Sequence, residues 1–180
     1  MSDSYQIKNQ EGLYFLTFQV VGWAAIFSRK VYRDIVIESL DFSRQNKGLE
    51  LFSYVIMSNH VHLIVRSKVG DLSGTVRDIK KHTSKQIFRT IKDINESRRE
   101  WLELIFEYHA KLNKRASQHQ LWTHENHAVE LTTNEMLVSR VNYIHQNPVR
   151  SALVSKAEDY LYSSARNYAD IDYLLQIDEI

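Results

Sequence analysis

At 180 residues the chain has room for one domain with a full hydrophobic core. Its apolar fraction of 43% and charged fraction of 25% are ordinary for a globular protein and argue against disorder. A net charge of +1 does not announce a nucleic-acid binder, so such a role requires positive charge concentrated on one surface. The longest apolar stretch, residues 15–27, is interrupted by Thr17, Gln19 and Gly22 and is too short to span a bilayer. Residues 1–8 are polar with no apolar signal core, which makes a cytoplasmic location the expectation. With no cysteine, disulfides and thiolate metal sites are excluded, and a metal ion would need His, carboxylate, amide or water ligands. Nothing in composition or repeats divides the chain. Residues 1–180 read as a single domain, with its core from about 10 to 170.

In chain order, residues 14–23 (YFLTFQVVGW) are rich in β-branched and aromatic side chains and predict a strand. Residues 31–45 place Tyr32, Ile35, Val36 and Leu40 at helical spacing, with Gly48 as the stop signal. Residues 49–57 (LELFSYVIM) predict a second strand. After the short break at Ser58 and Asn59, residues 60–66 (HVHLIVR) alternate as a third, close enough to close a hairpin. A helix is expected over 72–91, with Leu72, Val76, Ile79, Thr83, Ile87 and Ile91 at steps of three or four. Another over 98–112 carries Trp101, Leu102, Ile105, Phe106 and His109 on one side. A short strand is expected at 128–131. Thr132 and Glu135 then match a capping box, opening a helix that Pro148 is expected to end at Asn147. Residues 157–180 are expected to be helical in part. This order indicates an α+β fold, an antiparallel sheet covered by helices in a ferredoxin-like arrangement.

Two constellations carry chemistry. In a strand, His60 and His62 project from one face while Val61, Leu63 and Val65 take the other. Two neutral imidazoles side by side make a ligand pair for a cation, and the same spacing serves a histidine pair packed at a sheet surface. Arg66 shares their face and suits a phosphate. On the late helix, Arg140, Tyr143 and Asn147 are three and four residues apart and share one side, beside an apolar stripe of Leu137, Val141 and Ile144. A tyrosine at the edge of such a stripe is also what a core residue with a surface hydroxyl looks like. Asn147 could add an oxygen ligand one turn from the phenol. On the helix over 72–91, Arg77, Lys80, Lys81 and Lys85 fall on one arc, which suits a DNA backbone or a solvated basic face. Arg66 and Lys68 add to the same potential. His124 and His127 mimic a ligand pair and read as structural or nucleic-acid-contacting.

These segments carry a resemblance. SYVIMSNHVHLIV, residues 53–65, resembles the His-hydrophobic-His strand of the single-tyrosine (HUH) insertion-sequence transposases, which act on single-stranded DNA. VNYIHQNPVRSALV, residues 141–154, resembles the Tyr-Ile-x-x-Asn-Pro-Val signature of the REP-associated tyrosine transposases in that superfamily. LWTHENHAVEL and EDYLYSSARNY resemble further segments, in consistent order. The resemblance implies a C-terminal catalytic helix and a divalent cation, Mg or Mn, on His60 and His62. Asn147 would complete the metal site, where some relatives carry Gln. Tyr143 would be the nucleophile that attacks a DNA phosphate, leaving a 5′-phosphotyrosine and a free 3′-hydroxyl. Single-stranded or hairpin DNA is the implied partner, bound by Arg66, Arg77, Lys80, Lys81, Lys85 and Arg140. Relatives include dimers, so a homodimer is a further candidate assembly, and no membrane partner is expected. A phenol is a weak nucleophile at neutral pH, so a cation that polarises the phosphate fits this chemistry. Two rival readings stay open: a nuclease using metal-bound water, with Tyr143 structural, and a domesticated, non-catalytic hairpin binder.

Overall fold

The structure is a computed structural model that describes residues 6–113 and 118–179. Most of the polar start, residues 1–5, lies outside the described residues. The elements run β1 (Tyr14–Gln19), α1 (Lys30–Lys47), β2 (Leu49–Ile56), β3 (His60–Ser67), α2 (Leu72–Asp93), α3 (Arg99–Leu112), β4 (Val129–Glu130), α4 (Asn134–Arg150) and α5 (Ala165–Tyr168). All strand pairs are antiparallel, in the order β2-β3-β1-β4. That is the ferredoxin-like order expected from the alternation of elements. The two central strands are β1 and β3.

Local chemistry explains why the elements start and stop. α1 ends because Gly48 adopts φ 65°, a left-handed conformation that favours glycine, and its N–H donates to the Ser43 carbonyl. α2 begins at Asp71, whose side chain accepts from the Gly74 N–H at 3.0 Å. β2 and β3 meet through a tight connection in which the Met57 N–H donates to the His60 carbonyl at 2.9 Å.

Alternation along the central strands builds two cores. Leu16, Phe18, Val61, Leu63 and Val65 pack with Leu72, Val76, Ile79 and Ile87 of α2, with α1, and with Leu102 and Phe106 of α3. The opposite face carries a smaller core in which Phe15, Val55 and Ile64 meet Leu137 and Ile144 of α4. His62 has the parity of Ile64, so both histidines lie on the α4 side of the sheet. This parity positions the site.

The structure corrects three boundaries. The first strand stops at Gln19, not at residue 23, because Gly22 (φ 61°) and Trp23 (φ 53°) are left-handed and turn the chain into short 3-10 segments. Thr133, not Thr132, is the N-cap of α4, and its hydroxyl accepts from the Met136 N–H at 3.3 Å. α4 does not end before Pro148 but runs through it to Arg150. Proline removes one donor and strains the turn before it. Here Ile144, Asn147 and Pro148 are buried against the sheet side, and later donors recover the ladder: Ser151 N–H bonds to the Asn147 carbonyl and Leu153 N–H to that of Pro148. Among the described residues, no helix is long and apolar enough to cross a membrane.

Candidate functional site

β3 meets α4 at a cluster of rings. His60 and His62 lie with ring centroids 4.7 Å apart, and the Tyr143 ring is 5.3 Å from that of His62. Phe15 of β1 backs both: it stacks on His62 at 5.2 Å and meets Tyr143 edge-on at 5.9 Å. Tyr143 is 37% exposed, so the ring is gripped from one side while a substrate can approach from the other.

Each histidine is oriented through the same nitrogen. His60 Nδ1 bonds to Asn59 Oδ1 at 2.7 Å, which requires a proton on Nδ1 and leaves Nε2 as a bare acceptor. His62 Nδ1 pairs with the Thr17 hydroxyl at 2.9 Å, opposite it in the β1–β3 register. With the hydroxyl accepting, its Nε2 is bare too. Burial lowers the pKa of both rings. For His62, burial, then His60, Arg150 and Arg140, push it down to about 3. Two neutral imidazoles with free Nε2 atoms are ligands in waiting, held as metal-binding histidines usually are by a second hydrogen bond.

Asn147 lies one turn beyond Tyr143 on the same helix face and is 8% exposed. Its side-chain amide makes no hydrogen bond among the described residues, although its backbone carbonyl accepts from Ser151. The amide is not among the fully buried unpartnered side-chain groups of the described residues, so it still meets solvent and stays open to a ligand. No group of three or more His, Cys, Asp or Glu side chains among the described residues could hold a metal ion, so no carboxylate joins the two histidines. The donors that lie together are therefore the two imidazoles, and Asn147, one turn beyond Tyr143, is the candidate for an added amide oxygen. Imidazole and amide donors are chemically compatible with a divalent cation that keeps other positions open.

Two guanidiniums flank the phenol. Arg140 lies over Phe15 at 4.9 Å and Tyr143 at 6.0 Å. Arg150 lies over Tyr143 at 4.4 Å and donates to the Tyr143 carbonyl at 2.9 Å. Sequence reading missed Arg150, Thr17, Phe15 and Asn59. Arg150 had a signal, since seven residues is two helical turns and returns to the Tyr143 face. Thr17 had none, because its role depends on strand register.

The remaining candidates are not brought together with this cluster. Arg66 shares the sheet face but sits four residues along β3, about 13 Å away at ~3.3 Å per residue. Its guanidinium is held by Glu50 at 2.6 Å. α2 covers the opposite face, so Arg77, Lys80, Lys81 and Lys85 are separated from Tyr143 by the sheet. Lys80 is tied to the Thr123 carbonyl and the Asn126 side chain, both at 2.7 Å, and burial lowers its pKa to about 8. Arg77 pairs with Asp78 at 3.6 Å, while Lys81 and Lys85 are exposed. His124 bonds to the Asn113 side chain, and His127 is left-handed at φ 41°.

The model of a family described as transposase, IS200 like, matches residues 23–107. That span includes the histidine pair and α2 and stops before α4. No curated protein matches the chain. Among solved structures, a REP-associated tyrosine transposase bound to a REP hairpin is similar, with a TM-score of 0.62 at 18% identity. The alignment covers 99% of this chain and 93% of that one. A candidate transposase of Deinococcus radiodurans R1 aligns with a TM-score of 0.45 and 17% identity, over 82% of this chain and 96% of its own. Residues 23–107 thus match the model of the IS200-like transposase family, and the chain shares its fold with a REP-associated tyrosine transposase.

Proposed function

We propose that the protein is a single-strand DNA transposase that cuts and rejoins DNA through Tyr143, with His60, His62 and Asn147 holding a Mg or Mn ion. One observation carries this reading: Tyr143 of α4 lies ring-to-ring with His62 of β3, although the two are far apart in the chain. When bound, the cation supplies Lewis-acid polarisation of the phosphate.

The chain's own residues do the rest. Asn59 and Thr17 fix the two imidazoles with Nε2 forward. Phe15 and Arg150 hold the phenol ring so that its oxygen meets the phosphate from the open side. Arg140 and Arg150 supply positive charge for the non-bridging phosphate oxygens. Tyr143 Oη attacks phosphorus, forming an Oη–P bond as the P–O3′ bond breaks. The phenol proton passes to solvent, and the departing 3′ oxygen takes one up to become a hydroxyl. Rejoining is the reverse attack by a 3′-hydroxyl, so no outside energy source is needed. The hairpin bound by the structurally similar transposase supports hairpin DNA as the substrate class.

The test is incubation with labelled single-stranded hairpin DNA and Mn, followed by a denaturing gel. Wild type should give cleaved product and a protein–DNA adduct. Tyr143→Phe should keep DNA binding and lose both. If Tyr143→Phe still cuts while His60→Ala does not, a metal-water nuclease replaces this reading. If wild type binds hairpins and never cuts them, the non-catalytic binder replaces it.

A further inference from the structure

We propose that the outer face of α3 pairs antiparallel with the same face of a second copy of this chain. α3 buries Leu102, Phe106 and Ala110 in the main core. Its outer side should then be polar, as on most surface helices. Instead Trp101, Leu104, Tyr108 and Leu112 line it, exposed by 47%, 67%, 58% and 67%. At 100° per residue these four fall within about 80° of arc, forming one continuous stripe. Contiguous exposed apolar surface of this kind marks an interaction site.

Charge along the helix selects the occupant. Glu103 is paired with Arg99 at 3.0 Å and Glu107 with His119 at 3.6 Å. Glu100 and Lys111 have no ion-pair partner among the described residues. Both lie on the same flank of the stripe, at opposite ends. When two such helices pack antiparallel about a two-fold axis, like flanks face each other and the ends are exchanged. Glu100 of one copy then faces Lys111 of the other, twice. The same axis brings Leu104 against Tyr108 of the second copy and Trp101 against its Leu112. A parallel two-fold pairing would set this flank against the opposite flank of the second copy, so that Glu100 and Lys111 would not meet each other. One geometry thus satisfies the stripe and both unpaired charges, and it is isologous, the commonest way two identical chains associate. α3 packs on the α1–α2 side of the sheet, so the pairing leaves the Tyr143 face open.

Sedimentation velocity of the full chain over a concentration series tests this without DNA. Wild type should pass from monomer to dimer as concentration rises, and Leu104→Glu should stay monomeric with unchanged circular dichroism and melting. Glu100→Lys and Lys111→Glu should each weaken the dimer several-fold, and the double exchange should restore it. A wild type that remains monomeric throughout overturns the proposal. So does a dimer untouched by Leu104→Glu, or a double exchange no better than the single ones. If wild type stays monomeric and Leu104→Glu weakens hairpin binding instead, the stripe is a nucleic-acid surface.

Discussion

Thr17 is the residue on which the candidate site's ligand geometry turns most. Its hydroxyl engages His62 Nδ1 at 2.9 Å, so Thr17→Val keeps the shape and removes the group that orients the ring. The expected result is a Mn affinity lower by about 10–100-fold, the usual effect of removing the hydrogen-bond partner of a metal-binding histidine, with melting unchanged. Manganese titration by calorimetry measures it, and an unaltered affinity would detach Thr17 from the site. Lys80 teaches the opposite lesson. From its position in the helix it matches Lys81 and Lys85, yet its ammonium is spent on Thr123 and Asn126. Spacing gives the arc a side chain lies on, not whether a loop has claimed it.

At the scale of the element, α4 decides how the site is presented. Its N-terminus is capped by Thr133 and its interior tolerates Pro148. Thr133→Ala should therefore cost about 1 kcal/mol in urea unfolding, and Thr132→Ala much less. The reverse ranking would restore the capping box expected from sequence. The buried side of α4 holds His145, whose Nε2 pairs with Ser164 at 2.9 Å and lies 3.3 Å from the Ser53 hydroxyl. Burial lowers its pKa from 6.5 to about 4. The folded state then binds fewer protons than the unfolded state between those values, so stability rises with pH across that window. It is fully present above about 6.5 and is lost as pH falls toward 4. Unfolding midpoints at about pH 7.5 and about pH 5, on either side of the unfolded-state value, should differ more for wild type than for His145→Gln. The difference should not vanish, because His62 is depressed in the same sense. Equal pH dependence in both proteins would remove His145 from this account.

Over the whole molecule, the sheet separates the ring cluster from the basic arc of α2. The ring cluster with Arg140 and Arg150 lies on the α4 face, and the exposed Arg77, Lys81 and Lys85 lie on α2 across the sheet. If DNA reaches that second surface, it does so with a part remote from the scissile phosphate. Lys81→Glu with Lys85→Glu should weaken hairpin binding and reduce the salt slope by about one for each phosphate that is no longer neutralised. Cleavage at saturating DNA should keep its rate. Unchanged binding and slope would leave the stripe as a solvated basic face.

What the sequence determined by itself was the set of elements, their order and the faces they bury. Hydrophobic periodicity is a local signal, and in β3 and α4 it is strong enough to say that His60 and His62 share one face and that Tyr143 and Asn147 share another. The family signatures told where those faces belong together, which periodicity cannot, since an apolar stripe encodes burial and not its partner. Only the tertiary structure decided the rest. Strand register set Thr17 against His62, packing against the sheet let α4 continue through Pro148, and Arg150 came to rest on the Tyr143 ring. Tertiary packing also divided the cations, tying Arg66 to Glu50 and Lys80 to a loop while leaving Lys81 and Lys85 in solvent. Each of these outcomes depends on residues distant in sequence meeting at a few ångströms, a property that no local pattern contains.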